Sequence, residues 1–345
     1  MNRLTKYTIW IIKHSILINI LCPPNSWTRK LFEIIYLKSK KYVFLYRNKG
    51  WWKKYRSKRK LLKNLNSGQL ISRQENFIQK VTDHIEIKRK DSRKKNAVFL
   101  QCGSGLVSPE RFFDQSNCNW DLIINHYDST YISSFDCFVE ISYSQYPGAT
   151  KFLAYYLLSR EYPDLIEKYD YVCFMDDDVN ISVESINNLF DFGKDLNLNC
   201  FQASLTSDSN AEWPILKENT NFYPNNLRFV NAVEVMAPVY SRNIIKKTIP
   251  YFRRSISTWG IDLIVGHVCN SFFYDSPVVC TNILIEHRKK SNQDDGAFYK
   301  MLKGLGIDPR KEMNLLLLLF GLNDARIYAL NYSNHITGKL KIEVV

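Results

Sequence analysis

Three consecutive acids end an apolar run in "YDYVCFMDDDVNIS", residues 169–182: Asp176, Asp177 and Asp178. At ~5 Å and an effective dielectric of ~20, each ionised pair costs about 3 kcal/mol, so the run calls for a compensating positive charge. Side chains alternate along an extended strand, so Asp176 and Asp178 can share one side while Asp177 points away. Two converging carboxylates suit a hard divalent cation, Mg²⁺ or Mn²⁺, which takes oxygen ligands and is often held by one or two carboxylates plus substrate phosphates. That is the chemistry of a nucleotide-diphosphate site. The other reading is a polar loop in which Asp178 or Asn180 caps the next helix, where an acid is favourable. This stretch by itself leaves both open.

Two downstream segments carry compatible chemistry. In "TWGIDLI", residues 258–264, Trp259 can stack on a sugar ring and Gly260 permits close backbone approach. Asp262 can accept a hydroxyl proton, or it is simply a helix-start acid. "NILIEHRKK", residues 282–290, ends an apolar run at His287, followed by Arg288, Lys289 and Lys290. His287 could complete a metal shell and the cations could hold phosphate oxygens; alternatively His287 is a surface residue.

The elements that must position these groups read as alternating strands and helices. "AVFLQC" from Ala97 is a short buried strand running into Gly103-Ser104-Gly105. Ser108 and Pro109 open a helix, "PERFFDQ". Strands follow at 120–128 and 136–142, a helix over "ATKFLAYYLLSREY", and a fourth strand, "YDYVCFM". A helix begins at Ser182, and "NCFQASL" is a fifth strand. This alternation predicts a mainly parallel sheet covered on both faces, with ligands outside the C-terminal strand ends, where the three acids lie. The second half is less regular. "NAVEVMAPVYS" (231–241) reads as a strand pair or strand-turn, "RNIIKKTIPYF" as a helix, and "TWGIDLIVGHVCN" as a turn entering an apolar helix. "PVVCTNILIEH" reads as a strand; "DDGAFYKMLKGLG" and "PRKEMNLLLLLFGL" close the domain as helices. The five leucines at 315–319 are too few to span a bilayer and read as core.

Of 345 residues, 45% are hydrophobic, enough for a sizeable core. The net charge of +13 is segregated. Residues 1–65 hold 17 Lys/Arg against one acid, Glu33; residues 66–95 hold eight against four; residues 96–345 hold 22 against 29. The globular part is therefore mildly acidic, which argues against nucleic acid as a partner. The eight cysteines contain no CxxC pair, and several sit in apolar runs, the pattern of free thiols in a reducing compartment. The division expected is a basic aromatic extension over 1–65, a polar linker of helical or mixed character over 66–96, a catalytic domain over 97–325 and a tail over 326–345. In the extension, "LTKYTIWIIKHSILINILCPP" is interrupted by Lys13 and His14, and "KSKKYVFLYRNKGWWKKYRSKRKLLK" mixes Trp51, Trp52 and tyrosines with cations. It reads as an interfacial segment on an anionic membrane surface rather than a span, or else as a solvated basic face.

An apolar strand ending in DxD, then WGxD, then a downstream His resembles the metal-dependent GT-A glycosyltransferases. More closely, "YDYVCFMDDDV", "VEVMAPVYSR", "TWGIDLI" and "DSPVVCTNILIEH" resemble the family catalogued as domain of unknown function 707, over about residues 97–290. The resemblance implies a GT-A-like fold and a nucleotide-sugar donor, a UDP-sugar, used with Mn²⁺ or Mg²⁺. Asp178 would be the metal ligand, Asp176 would contact metal or ribose, and His287 would complete the metal site. Asp177 stands where that family more often has Glu. Asp262 matches the base of inverting enzymes. Asp128 and Lys151 would meet the nucleotide or its phosphates, together with Asp177 and Arg288. Glu234, Trp259 and Gly260 would meet the acceptor, although Glu234 serves equally as a strand-edge acid.

The function expected is sugar transfer, with inversion, to a hydroxyl of a cell-surface glycan or lipid-linked acceptor such as lipopolysaccharide. The protein would be cytoplasmic and peripheral on the inner face of the membrane. Two other readings are a non-catalytic nucleotide-sugar or membrane-binding protein of the same fold, and a metal-dependent phosphohydrolase of the haloacid dehalogenase type. The latter wants Thr or Val four residues after its first Asp, where this chain has Asn180.

Overall fold

A computed structural model describes residues 67–82, 86–88, 94–103, 106, 117–127, 142–145, 148–219, 226–273, 275–287, 297–322, 325–332 and 342–344. All lie in one compact unit, Leu65–Val345. The basic arm, the helix expected after Ser108, most of the strand expected over 136–142, and the candidate residues Asp128 and Arg288 lie outside the described residues.

The chain forms α1 (Ser67–Thr82), β1 (Glu86–Lys88), β2 (Asn96–Cys102), β3 (Trp120–His126), β4 (Ser142–Gln145), α2 (Lys151–Glu161), α3 (Leu165–Lys168) and β5 (Tyr171–Asp176). Next come β6 (Val179–Asn180), α4 (Val183–Asp195), β7 (Cys200–Leu205), β8 (Leu227–Phe229), β9 (Val239–Ser241), α5 (Arg242–Phe252) and α6 (Ile261–Phe273). The last elements are β10 (Val278–His287), α7 (Ala297–Gly304), α8 (Pro309–Phe320), β11 (Leu330–Tyr332) and β12 (Ile342–Val344). The main sheet has the order β1-β4-β3-β2-β5-β9-β7-β10-β6, with β8 pairing β10. Strands β4, β3, β2 and β5 are mutually parallel, and so are β7 and β10. β9 is antiparallel to both β5 and β7. Two reversals restore direction, so β5, β7 and β10 all end on one edge.

Helices cover both faces. Phe174 of β5 packs with Phe152 and Tyr155 of α2 at centroid distances of 5.0 and 4.9 Å, and Phe152 meets Phe252 of α5 at 4.9 Å. Tyr171, of opposite parity on β5, packs with Phe201 on the other face, and its hydroxyl donates to the Gly193 carbonyl of α4 at 3.1 Å. Continuous apolar strands are what a sheet buried on both faces requires. Helix starts follow the sequence. Ser182 accepts from the Ser185 amide at 3.1 Å, and Asp308 from the Arg310 amide at 2.9 Å, each cap worth about 1 kcal/mol. The six described cysteines, 102, 118, 173, 200, 269 and 280, are buried and in no disulfide. Among the described residues no helix is long and apolar enough to cross a membrane.

The helical or mixed linker contains a helix that packs: α1 buries Leu70, Gln74, Phe77, Ile78 and Val81. Two segments differ from the sequence expectation. Residues 231–238 are not a strand; only Val239–Ser241 joins the sheet from "NAVEVMAPVYS". The start of the expected tail is tied down, because the Asn231 side chain binds Arg326 O at 2.9 Å and the Tyr328 amide at 2.7 Å.

Candidate active site at the strand ends

β5 ends at Asp176, and a two-residue turn through Asp177 and Asp178 leads into β6. β6 pairs antiparallel with the end of β10, Val179 opposite His287 and Asn180 opposite Glu286. This short bridge brings the two sequence signals together: His287 Nε2 lies 3.4 Å from Asp178 Oδ2. The other ring nitrogen, Nδ1, lies 2.6 Å from the Asn210 carbonyl oxygen, and the His287 amide donates to Ser209 Oγ at 2.9 Å. A carbonyl accepts only, so Nδ1 carries the proton and Nε2 presents its lone pair to Asp178 when the ring is neutral.

The three acids have three separate partners. Asp178 faces His287. The Tyr127 hydroxyl donates to Asp177 Oδ2 at 2.8 Å. Asp176 Oδ1 lies 2.9 Å from Lys151 Nζ. Lys151 therefore offsets part of the turn's repulsion from within the protein. Lys151, 2% exposed, also donates to the carbonyls of Val235 and, at 3.2 Å, Met236. An ammonium has three protons, and three acceptors now hold them. Lys151 thus braces Asp176 and the 235–236 backbone. The same contact gives Asp176, expected beside the metal, a cation of the protein's own.

Asp262 opens α6. Its Oδ1 accepts from the Leu263 amide at 2.9 Å. Burial pushes its carboxyl up to about 6, against the opposing amides of Leu263, Asp262 and Gly260. The preceding turn is unusual in backbone, with Thr258 at φ 67° and Gly260 at φ 83°. A Cβ on Gly260 would stand 3.0 Å from Met313 Cγ. The space its missing side chain leaves therefore lies against Met313 of α8. Trp259 is half-buried.

Glu234 lies on the 231–238 loop, its amide held by Gln202 Oε1 at 2.7 Å. Burial and the charge of Asp262 push its carboxyl up to about 7, with His287 pulling the other way. Its Oε2 is buried, and among the described residues no hydrogen bond within ordinary distance reaches that atom. Glu234 thus senses both Asp262 and His287. Burial raises the Asp176 carboxyl, Lys151 opposes, and Asp178 adds to the rise. Burial lowers His287, but the hydrogen bond and charge of Asp178 outweigh it and raise the ring.

Among the described residues no group of three His, Cys, Asp or Glu side chains is arranged to hold a metal ion. The pair Asp178–His287 nonetheless has the donor chemistry for one: a hard carboxylate oxygen and an imidazole whose other nitrogen is fixed by a carbonyl. A cation with so few protein ligands leaves the remaining positions to phosphate oxygens and water. Sequence reasoning missed Tyr127 and Asn210. Tyr127 follows directly on the β3 strand end, and Gly103, where a Cβ would come 2.3 Å from the Tyr127 ring, makes room for it. Asn210 contributes through its backbone, which leaves no sequence signal.

No family model matches the chain, and no curated protein matches it. Solved structures do. S. aureus TarS 1–349 in complex with UDP-GlcNAc matches over 66% of this chain and 73% of that one, at 10% identity and a TM-score of 0.40. A longer S. aureus TarS structure matches over 66% of this chain and 43% of that chain, at 11% identity and a TM-score of 0.41. GalNAc-T7 with UDP, GalNAc and Mn²⁺ matches over 66% of this chain and 48% of that chain, at 10% identity and a TM-score of 0.43. At these scores the likeness assigns no activity.

Proposed function

We propose that the protein is a metal-dependent glycosyltransferase of the GT-A type, akin to the family catalogued as domain of unknown function 707. It would move a sugar from a nucleoside-diphosphate sugar, a UDP-sugar, to a hydroxyl of a cell-surface glycan or lipid-linked acceptor such as lipopolysaccharide. The observation that carries this reading is the Asp178–His287 pair, with His287 Nδ1 tied to the Asn210 carbonyl, at the C-terminal edge of the sheet.

Asp178 and His287 would hold Mn²⁺ or Mg²⁺, which supplies charge neutralisation for the departing diphosphate. Asp262 accepts the acceptor's hydroxyl proton as its oxygen bonds to the anomeric carbon and the bond to the diphosphate oxygen breaks. Attack from the face opposite the leaving group gives inversion. A carboxyl at about 6 is ionised at neutral pH yet close enough to it to take a proton efficiently. Glu234 binds an acceptor hydroxyl through its carboxyl, and Trp259 stacks on a sugar face. Asp128, Asp177 and Arg288 contact the nucleotide. Residues 1–65 hold the enzyme on the anionic inner face of the membrane, where such acceptors lie. The test is Mn²⁺-dependent release of nucleoside diphosphate from a panel of nucleotide sugars, comparing wild type with Asp178→Ala and Asp262→Asn.

A further inference from the structure

The turn that carries Asp262 hangs on a buried carboxylate from elsewhere in the fold. Glu312 of α8 is 0% exposed, and so are Ser255, Ile256 and Ser257 of the turn. Glu312 Oε1 accepts from the Ile256 amide at 3.1 Å, and Oε2 from the Ser257 amide at 2.7 Å. Gln74 of α1, also 0% exposed, donates from Nε2 to Glu312 Oε1 at 2.7 Å and to the Arg254 carbonyl at 2.9 Å. Downstream, Ser255 Oγ donates to the Trp259 carbonyl at 3.0 Å, and the Trp259 amide donates to Ser257 Oγ at 3.3 Å. Thr258 and Gly260 follow with positive φ, then α6 with Asp262 in its first turn.

The residue types are selective. A carboxylate only accepts, and its lone pairs can take three converging N–H groups. An amide at position 312 would aim one of its own donors at a backbone N–H. An apolar residue would leave two buried amides without a partner, a loss that water cannot repair. Burial pushes the Glu312 carboxyl up, while the bonds from Gln74, Ser257 and Ile256 hold it down. Next to it, Met313 fills the space beside Gly260. On the other side Glu75 of α1 takes Arg253 Nη2 at 2.5 and 2.6 Å and Arg254 Nη1 at 2.9 Å.

We propose that Glu312 and Gln74 are positioning residues for Asp262, so that α1 and α8 fix the conformation of the 255–260 turn and with it the placement of the base. This rests on the transferase reading for its kinetic consequence but not for its structural one. It also makes α1, which directly follows the basic arm in sequence, a support of the active site.

The experiment uses the full chain and compares Glu312→Gln, Gln74→Met and the control Glu75→Gln at a temperature where all remain folded. Glu312→Gln should lower kcat about tenfold or more, as a small displacement of a reacting group does, while Mn²⁺-dependent affinity for UDP stays within about twofold of wild type. Gln74→Met should act in the same sense but less, and it carries the test if Glu312→Gln does not fold. Glu75→Gln, which alters a half-buried ion pair outside the Glu312 cluster, should leave kcat within about twofold of wild type. Hydrogen exchange should quicken in the peptide covering 255–263 and not across the sheet. Unchanged kcat in both variants, or loss of kcat and UDP affinity in step, overturns the proposal. If wild type itself neither turns over a nucleotide sugar nor binds UDP with Mn²⁺, the transferase reading fails on its own. Exchange then decides: quickening confined to 255–263 upholds the positioning, and unchanged or general exchange overturns it.

Discussion

His287 stands between two oxygen acceptors, with Nε2 3.4 Å from Asp178 Oδ2 and Nδ1 2.6 Å from the Asn210 carbonyl oxygen. The second contact makes the first useful, since it fixes which nitrogen is free. On this account Asp178→Ala and His287→Ala each weaken Mn²⁺-dependent UDP binding by about tenfold or more, read by calorimetry with and without the metal. EDTA should abolish binding in wild type and change little in either variant.

Asp262→Asn should lower turnover by about 10²- to 10⁴-fold and leave nucleotide affinity alone. The wild-type rate should fall as pH drops through about 6, because burial holds the Asp262 carboxyl there and its protonated form cannot accept the acceptor's proton. The variant's residual rate should lack that acidic limb.

Glu234 gives a prediction about stability alone. Its carboxyl is raised from 4.5 to about 7 by burial and by Asp262. The native state therefore holds a proton that the unfolded chain releases, and stability falls as pH rises through the interval from 4.5 to about 7. Glu234→Gln should melt above wild type at pH 8, and the difference should vanish below pH ~4, where the unfolded carboxyl is also protonated. Melting curves across pH check this.

Lys151→Met should destabilise the fold by about 2 kcal/mol, less than removing one partner from a fully buried ion pair, because the Asp176 side chain is half-buried. It frees Asp176 Oδ1 and two carbonyls from a cation that is 2% exposed. Urea unfolding measures the loss.

Removing residues 1–65 should move the protein from the membrane pellet to the supernatant, because that segment carries 17 cations and one acid. An unchanged distribution in fractionation would rule out membrane attachment through the arm.

Much of the frame was legible because burial leaves a plain mark. β5, β7 and β10 are apolar runs, Ser182 announces α4, and the three acids stand where β5 stops. What was not legible depends on contacts distant in sequence. The 231–238 segment alternates like a strand, yet its polar backbone is drawn off by Lys151, by Gln202 and by the Asp176 amide, which donates to Met236 O at 2.9 Å. In α1 the helical stripe Leu70, Gln74, Phe77, Ile78, Val81 was present, but Gln74 at its centre and the charged residues around it read as a helical or mixed linker and not as packed core. Its buried partner, Glu312, lies 238 positions away. β6 is two residues long, too short for any periodicity, although it is the element that joins Asp178 to His287.

The central claim is metal-dependent use of a nucleotide sugar at the Asp178–His287 pair. The direct measurement is nucleoside diphosphate released from a panel of nucleotide sugars, with and without Mn²⁺, by wild type and Asp178→Ala. The account predicts release by wild type from at least one donor, dependent on Mn²⁺ and lost in the variant. No release and no Mn²⁺-dependent nucleotide binding with any donor, or release that is equal in Asp178→Ala, would contradict it.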